Sequence, residues 1–296
     1  MFDLRYHAAS LAAVFLALII GILVGVGITR GGFVSKAERN VLQSQAADAR
    51  AQRDAARKEV TQLQQEEQWT QDFIEETYPA LIADRLKDMK IALVSIGTLD
   101  PAVRSNVVQA LRDAGAPYPV RIRAIKVPVD DKALDAAIAG RPALAQYVGT
   151  DKLPELGRAL AAELVGGGRT PLWDSLASEL VQERLGGSRP AADGVVVARS
   201  VKAQKDGTAR FLQGFYSGLA ASGRPAVGVE VAGAVTSAIP VFERSTLSTV
   251  DSIDTPPGRL ALALLLAGGE GGNYGVEQTA TDGILPLVPL QTTTGG

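Results

Sequence analysis

The sequence predicts an α/β protein: a single N-terminal transmembrane helix, a long coiled-coil helix, and then a Rossmann-like α/β domain with a mostly parallel sheet. An uncharged run from Ala8 to Ile28 opens the chain, and a proline-free stretch rich in Ala, Gln, Glu and Arg follows from Gly31 to Glu76. From Lys90 onward, short β-branched runs alternate with amphipathic segments, as in chains that build a parallel sheet. The predicted parts are an anchor at 1–30, a coiled-coil spacer at 31–78, an α/β domain at 79–290 and a flexible tail at 291–296.

The uncharged run has the length of a membrane span. As a helix it would be about 31 Å long, at about 1.5 Å per residue, and the hydrocarbon core of a bilayer is about 30 Å thick. A cleaved secretory signal usually has a shorter apolar region, although Gly25-Val26-Gly27 offers a weak cleavage site. A buried helix of a soluble domain rarely runs so long without a charge. The sequence therefore predicts one span in contact with membrane lipid.

Apolar residues recur along the predicted spacer at alternating steps of four and three residues, which is the spacing of a coiled-coil seam. The seam positions are Leu42, Ala46, Ala49, Arg53, Ala56, Val60, Leu63, Glu67, Thr70 and Ile74. Most are apolar, but the alanines bury little area, and Arg53 and Glu67 interrupt the seam. A solvated single helix with a slight apolar stripe is the alternative.

Two glycines of the uncharged run, Gly21 and Gly25, form a small-xxx-small face on which two helices can approach closely. Together with the seam, this face predicts a homo-oligomer or pairing with a coiled-coil partner protein. The residues predicted to carry this association are Gly21, Gly25, Leu42, Ala49, Ala56, Val60 and Leu63.

The α/β domain is predicted to begin after Tyr78-Pro79, where a proline is expected to end the long helix. Its first strand, KIALVSIG, precedes a helix that has Asp100 as a plausible N-cap and Pro101 as its first residue. The other predicted strands are VRIRAIKVP, GVVVARS and PAVGVEVA. The predicted helices are Pro101–Ala114, Asp131–Ala139, Leu153–Val165, Leu172–Leu185, Thr208–Ala221 and Pro257–Ala267.

The composition excludes several classes of function. With 30 Lys plus Arg against 32 Asp plus Glu, the chain has no electrostatic footprint for nucleic acid. It has no cysteine, its one histidine is His7, and its methionines are Met1 and Met89. Catalysis by a histidine base, zinc hydrolysis through imidazole, and soft-metal chelation therefore have no residues to use in the globular part. We expect a protein that is not an enzyme and holds no cofactor, and an enzyme that works with carboxylates is the remaining alternative.

Three loops have compositions that can bind ligands. SIGTLD follows the first strand but lacks both GxGxxG and a P-loop lysine, which favours an ordinary turn. VGGGRTP follows a predicted helix, so its glycines suit a helix stop. In STVDSIDTPPGR, the side chains of Asp251, Asp254 and Arg259 form a possible ligand loop for a cation or a hydroxylated molecule. A helix start with an Asp–Arg ion pair is the alternative there.

Four segments in order resemble the actinobacterial MctB family, named for mycobacterial copper transport protein B. They are FDLRYHAASLAAVFLALIIGILVGVG, the spacer, STVDSIDTPPGRLALALLLAGG and GNYGVEQTATDGILP, and the likeness runs from Phe2 to Pro286. The resemblance implies a cell-envelope protein that acts in copper transport. Because one span does not make a pore and the globular part lacks soft ligands, any role in copper efflux or homeostasis is expected to be indirect. The alternative is a non-catalytic coiled-coil scaffold that recruits partners in cell-wall assembly or cell separation.

The charges around the uncharged run give a mixed indication of its orientation. Arg30, Lys36 and Arg39 follow the run and only Arg5 precedes it, which by the positive-inside rule places the globular domain in the cytoplasm. The family resemblance implies the opposite. Since long domains translocate despite such charges, we expect the α/β domain on the external side of the plasma membrane, with an outer-envelope position also compatible with the resemblance.

Overall fold

The computed structural model describes residues 4–30, 36–187 and 189–288, and it describes side chains within these ranges except at 4–9, 27–30 and 36–38. The chain divides into two compact units, Met1–Thr70 and Gln71–Gly296. The structure is α/β with a mixed sheet, and the sheet lies in the second unit.

The described residues of the first unit lie in two helices. Helix α1 spans Leu4–Arg30, and helix α2 spans Lys36–Ile82 and continues beyond the unit boundary. The predicted helix stop at Tyr78-Pro79 is wrong, because α2 contains Pro79 and runs on for three more residues. Pro79 lacks an N–H donor and its ring crowds the carbonyl one turn earlier, but its own carbonyl still accepts a hydrogen bond from Ala83 N at 3.2 Å, so the last turn of the helix forms. The long helix is thus observed, and its pairing with a second helix stays a prediction.

The expectation of an N-terminal transmembrane helix is corrected by the structure. Within residues 4–30, 36–187 and 189–288, no helix combines the length and the apolarity that a membrane crossing requires.

In the part of the chain that the structure describes, seven strands form one sheet in the order β3-β2-β1-β4-β5-β6-β7. Their bounds are β1 Ile91–Ile96, β2 Arg121–Ile125, β3 Val181–Leu185, β4 Gly194–Arg199, β5 Ala226–Val229, β6 Ser248–Val250 and β7 Asn273–Tyr274. All neighbouring pairs are parallel except β2 and β3, where Arg123 lies opposite Arg184 in an antiparallel register. The sequence prediction of a helix over Leu172–Leu185 is therefore wrong at its end, because the last five residues form the antiparallel edge strand.

Helices cover both faces of the sheet. Their bounds are α3 Pro101–Asp113, α4 Asp131–Ala139, α5 Leu153–Gly166, α6 Pro171–Ser175, α7 Ala177–Leu180, α8 Asp206–Ala220, α9 Ile239–Glu243 and α10 Pro256–Leu266, with a 3₁₀ turn at Pro142–Tyr147. Helices α5 and α8 share one hydrophobic cluster, and α3 and α10 share the cluster on the opposite face. Strand β1 is buried along its whole length because both faces are packed.

Glycines bring α5 and α8 close together. A Cβ atom built on Gly157 would lie 2.3 Å from the Phe211 carbonyl oxygen, and one built on Gly214 would lie 2.1 Å from the Pro154 carbonyl oxygen. Both distances are far inside van der Waals contact. This backbone approach holds α8 in position, and α8 starts just after the loop that leaves β4.

Candidate functional site

The sheet reverses its direction of growth between β1 and β4. The chain passes from β1 outward to β2 on one side, and from β4 outward to β5 on the other side. In open parallel sheets, ligands bind in the crevice outside the carboxyl ends of the two strands at such a switch point. The segments that leave these ends are Gly97–Asp100 and Ser200–Lys202. This crevice is the candidate functional site that the topology selects.

The two segments at the switch point pack tightly against each other. Gly97 has a φ of +86°, and a Cβ atom there would lie 2.7 Å from Val201 Cγ1 and 2.8 Å from Ser200 Oγ. The Ser200 amide donates to the Ile96 carbonyl at 3.1 Å. Only glycine fits this turn without displacing the neighbouring segment.

A cleft of about 390 Å³ lies at the switch point. Its lining is Asp100, Val103, Arg199, Ser200, Val201, Lys202, Val229, Glu230, Val231, Ala234, Val235 and Thr236. Asp100 is the N-cap of α3, as the sequence predicts, and its Oδ1 accepts from Ala102 N at 2.7 Å and Val103 N at 3.3 Å. The first turn of α3 is thus occupied by the chain itself, which agrees with the interpretation of SIGTLD as a capped turn.

Glu230 is a buried carboxylate at the carboxyl end of β5 that the sequence reasoning missed. Its oxygens accept hydrogen bonds from Ser237 Oγ at 2.7 Å and from Ala238 N at 2.6 Å. Burial raises the pKa of Glu230, while these hydrogen bonds lower it. Its contacts fix the loop that carries the fully exposed Val235. The available signal was a single carboxylate inside the apolar run PAVGVEVA, at the end of a predicted strand.

The first residue of the possible ligand loop, Asp251, is engaged by the chain itself. It is 1% exposed, and its Oδ1 accepts from Val276 N at 3.1 Å and Glu277 N at 3.3 Å. Its Oδ2 accepts from Thr279 Oγ1 at 2.6 Å. Asp251 therefore ties the end of β6 to the segment that follows β7.

The other two residues of that loop point to different partners. Asp254 Oδ1 accepts from Ala232 N at 2.7 Å, and Thr255, not Asp254, caps α10. Arg259 Nη1 donates to Asn106 Oδ1 at 3.2 Å and to the Asp254 carbonyl at 3.3 Å, and the guanidinium lies 5.5 Å from the centre of the Tyr78 ring. The three side chains thus have separate partners, and a shared ligand stays a prediction.

The predicted association residues lie on the surface of the first unit. Leu42, Val60 and Leu63 are 61%, 53% and 56% exposed, so the seam is open to solvent in a single copy. Ala49 and Ala56 are exposed on the same helix. At Gly21 and Gly25, an added Cβ atom would meet no other atom of the described residues within 4 Å. Both surfaces have room for a second helix.

Metal donors are scarce across the described ranges. Among those residues, no group of three or more His, Cys, Asp or Glu could hold a metal ion. Met89 is the one soft donor of the second unit, and it is half-buried beside the α3 and α10 cluster.

The VGGGRTP glycines end α5, since Gly167 is its C-cap with a φ of +69°.

Comparison with known proteins gives one finding about the whole chain. No curated protein matches it. A family model described as "Copper transport outer membrane protein, MctB" matches residues 1–285, which is nearly the full length. The resemblance carried by the opening and closing segments of the sequence is confirmed, and the chain belongs to the MctB copper transport family of the cell envelope.

Proposed function

We propose that this chain serves copper transport indirectly, as a non-catalytic protein of the cell envelope that associates with other chains through α2. Family membership supports the link to copper. The exposed apolar seam of α2 supports association, and it is the observation that carries the proposal. The α/β unit then acts as the body that α2 joins to its partners.

The donor set of the chain supports an indirect role. Tight copper sites use thiolate, thioether or imidazole ligands, usually several together. The chain has no cysteine, one histidine at position 7, and methionines at positions 1 and 89. A single half-buried thioether, Met89, does not make a chelating site in the second unit.

Copper binding tests the indirect role. We expect the full-length protein, titrated with Cu(I) against a competing chelator, to show no site with a sub-micromolar Kd. A sub-micromolar site that disappears in Met89→Leu or His7→Ala would contradict the proposal. The two variants remove one donor each, so they also identify the ligand if a site is found.

Substitution on the seam tests the association. Val60→Glu with Leu63→Glu places two carboxylates on the exposed seam, where a partner helix would bury them. We expect this variant to lose most of the self-association that light scattering measures for the parent protein. The matched control is Gln64→Glu with Gln65→Glu, which adds the same charge next to the seam. Equal masses for both variants and the parent would contradict the proposal.

A scaffold for cell-wall assembly or cell separation is the second candidate function. The small alanines at Ala46, Ala49 and Ala56 bury little area between identical helices, which favours a partner with larger side chains. A photo-crosslinking residue at Val60 tests this in native envelope. Crosslinks to a wall-processing protein would support the scaffold, and crosslinks only to a second copy would contradict it.

The family description also supports a position of the α/β unit on the external side of the plasma membrane. Because the chain has no cysteine, a single Ala220→Cys at the exposed end of α8 provides a unique label site. We expect a membrane-impermeant maleimide to label this variant in intact cells. Labelling only after lysis would contradict the external placement.

A further inference from the structure

A second cleft, of about 440 Å³, lies next to the switch point on the α8 face of the sheet. Its lining is Arg199, Ala203, Gln204, Ala209, Leu212, Gln213, Tyr216, Val241, Arg244 and Ser245. We call it the two-arginine cleft. It shares Arg199 with the switch-point cleft, and its walls come from the segment after β4, from α8 and from the end of α9. Its volume falls within the range of small-molecule pockets.

The charge of the two-arginine cleft is one-sided. Its lining contains two guanidinium groups, from Arg199 and Arg244, and no carboxylate. Amides from Gln204 and Gln213 and hydroxyls from Tyr216 and Ser245 complete the polar lining. The apolar lining comes from Leu212, Val241 and two alanines, Ala203 and Ala209. The cleft therefore offers hydrogen-bond donors and positive charge beside an apolar surface.

Arg199 is held in a fixed position. Its Nε donates to the Val201 carbonyl at 2.7 Å, its Nη2 to the Lys202 carbonyl at 2.5 Å, and its Nη1 to the Tyr216 hydroxyl at 3.1 Å. These bonds use three of the five N–H groups of a guanidinium, which leaves two for a ligand. A pre-positioned guanidinium loses little entropy when it binds an oxyanion.

Tyr216 adds a donor at the base of the cleft. The side chain is 1% exposed, and its ring packs edge-on against Phe242 with centroids 5.7 Å apart. Burial raises the pKa of Tyr216, so its hydroxyl keeps its proton at neutral pH. Since the oxygen accepts the bond from Arg199, the hydroxyl hydrogen remains for a second acceptor.

We propose that the two-arginine cleft binds a small organic oxyanion, whose charged group pairs with Arg199 and Arg244 and whose apolar part lies against Leu212 and Val241. Guanidinium groups bind carboxylate and phosphate oxygens through paired, charge-assisted hydrogen bonds. The proposal is independent of copper and of α2. It gives the α/β unit a ligand site of its own.

Calorimetry of the full-length protein with phenyl phosphate tests the site. We expect phenyl phosphate to bind, and we expect Arg244→Gln to weaken this binding by about tenfold, because the variant removes one of the two proposed ion pairs at an exposed position. Arg112→Gln is the matched control, since it removes the same charge from an exposed position of α3, on the opposite face of the sheet. Equal losses in both variants would overturn the proposal, as would an absence of binding at millimolar concentrations.

Two further measurements separate the site from a general attraction for anions. We expect inorganic phosphate to bind at least about tenfold more weakly than phenyl phosphate, because it lacks the part that covers Leu212 and Val241. Equal affinity would overturn the organic part of the proposal.

Tyr216→Phe keeps the ring and removes the hydroxyl, and we expect it to weaken phenyl phosphate binding without changing the thermal midpoint by more than a few degrees. Unchanged affinity in that variant would overturn the role of the hydroxyl.

Discussion

Asp251 and Gly275 form a junction between two segments that are far apart in the sequence. The carboxylate of Asp251 accepts three hydrogen bonds from residues 276–279. Gly275 has a φ of +141°, and a Cβ atom there would lie 1.9 Å from Asp251 Oδ1. At the residue scale, the fold therefore depends on a buried acceptor and on a glycine that lets it approach the backbone.

Asp251→Asn tests this junction. The amide removes the charge that strengthens the three buried hydrogen bonds, and its nitrogen can keep the contact with Thr279 only if that hydroxyl turns from donor to acceptor. We expect the free energy of unfolding to fall by about 2 to 3 kcal/mol, measured by urea denaturation. The control is Asp254→Asn, at an exposed carboxylate with one backbone donor, where we expect a loss below about 1 kcal/mol. Similar losses at both positions would contradict this account.

Glu230 gives stability a pH dependence whose sign follows from its burial. Because burial raises the pKa of Glu230 above its ordinary value of 4.5, the folded state holds the proton more tightly than the unfolded chain does. The contribution of this group to stability is full below pH 4.5 and is lost as the pH rises through the raised pKa. We expect the decline in unfolding free energy above pH 4.5 to be shallower in Glu230→Gln than in the parent. Parallel pH profiles would contradict this assignment.

Individual elements differ in how far the sequence predicts them. Helix α4 has the predicted bounds, and α3 begins at Pro101 after its predicted cap, because a proline and an N-cap carboxylate are local signals. The sequence predicts a helix over the residues of strand β3, because the apolar Val181 and Leu185 are four residues apart, a spacing that fits one face of a helix as well as one face of a strand. Only the pairing with β2 decides between the two. Strands β6 and β7 are too short, at three and two residues, to show an alternation.

In the candidate site too, some features follow from local sequence signals and others depend on tertiary contacts. The position after β1 is predictable from the strand and the cap, whereas Arg199 and Glu230 acquire their roles from the way the segments after β4 and β5 fold back on the ends of these strands. Tyr216 reaches Arg199 only because α8 packs beside β4, and Ser237 reaches Glu230 through a loop without a sequence signature. Tertiary contacts of this kind leave no local pattern.

The packing of α5 against α8 restricts substitution, because the backbones of the two helices approach each other at glycines. We expect Gly214→Ala to lower the free energy of unfolding by about 2 to 3 kcal/mol, because the new methyl group overlaps the Pro154 carbonyl and the helices must separate. Gly166→Ala, at the exposed end of α5 where an added Cβ meets no described atom within 4 Å, is the matched control. An unchanged free energy of unfolding in Gly214→Ala would contradict this account, because it would show that the two helices move apart without loss of stability.

At the scale of the whole molecule, self-association makes the hydrogen-exchange protection of the long helix α2 depend on the protein concentration. The seam of α2 is exposed in one copy, whereas β1 and β4 are buried within the α/β unit. If two copies pair through the seam, mass action stabilises α2 as the protein concentration rises. We expect amide hydrogen exchange in residues 41–63 to slow with concentration, while exchange in β1 and β4 stays constant. Exchange rates in α2 that do not change with protein concentration would contradict pairing between copies.

The antiparallel edge strand β3 has a consequence for colloidal behaviour. Its exposed Gln182 and Arg184 alternate with Glu183, which binds Arg104, so the open margin of the sheet presents polar and charged groups. An extended segment from a neighbouring molecule would have to desolvate these groups in order to add as another strand. At the opposite margin, Tyr274 of the two-residue strand β7 forms a bridge with Gly283. We therefore expect crowded copies to resist growth of the sheet by addition of strands.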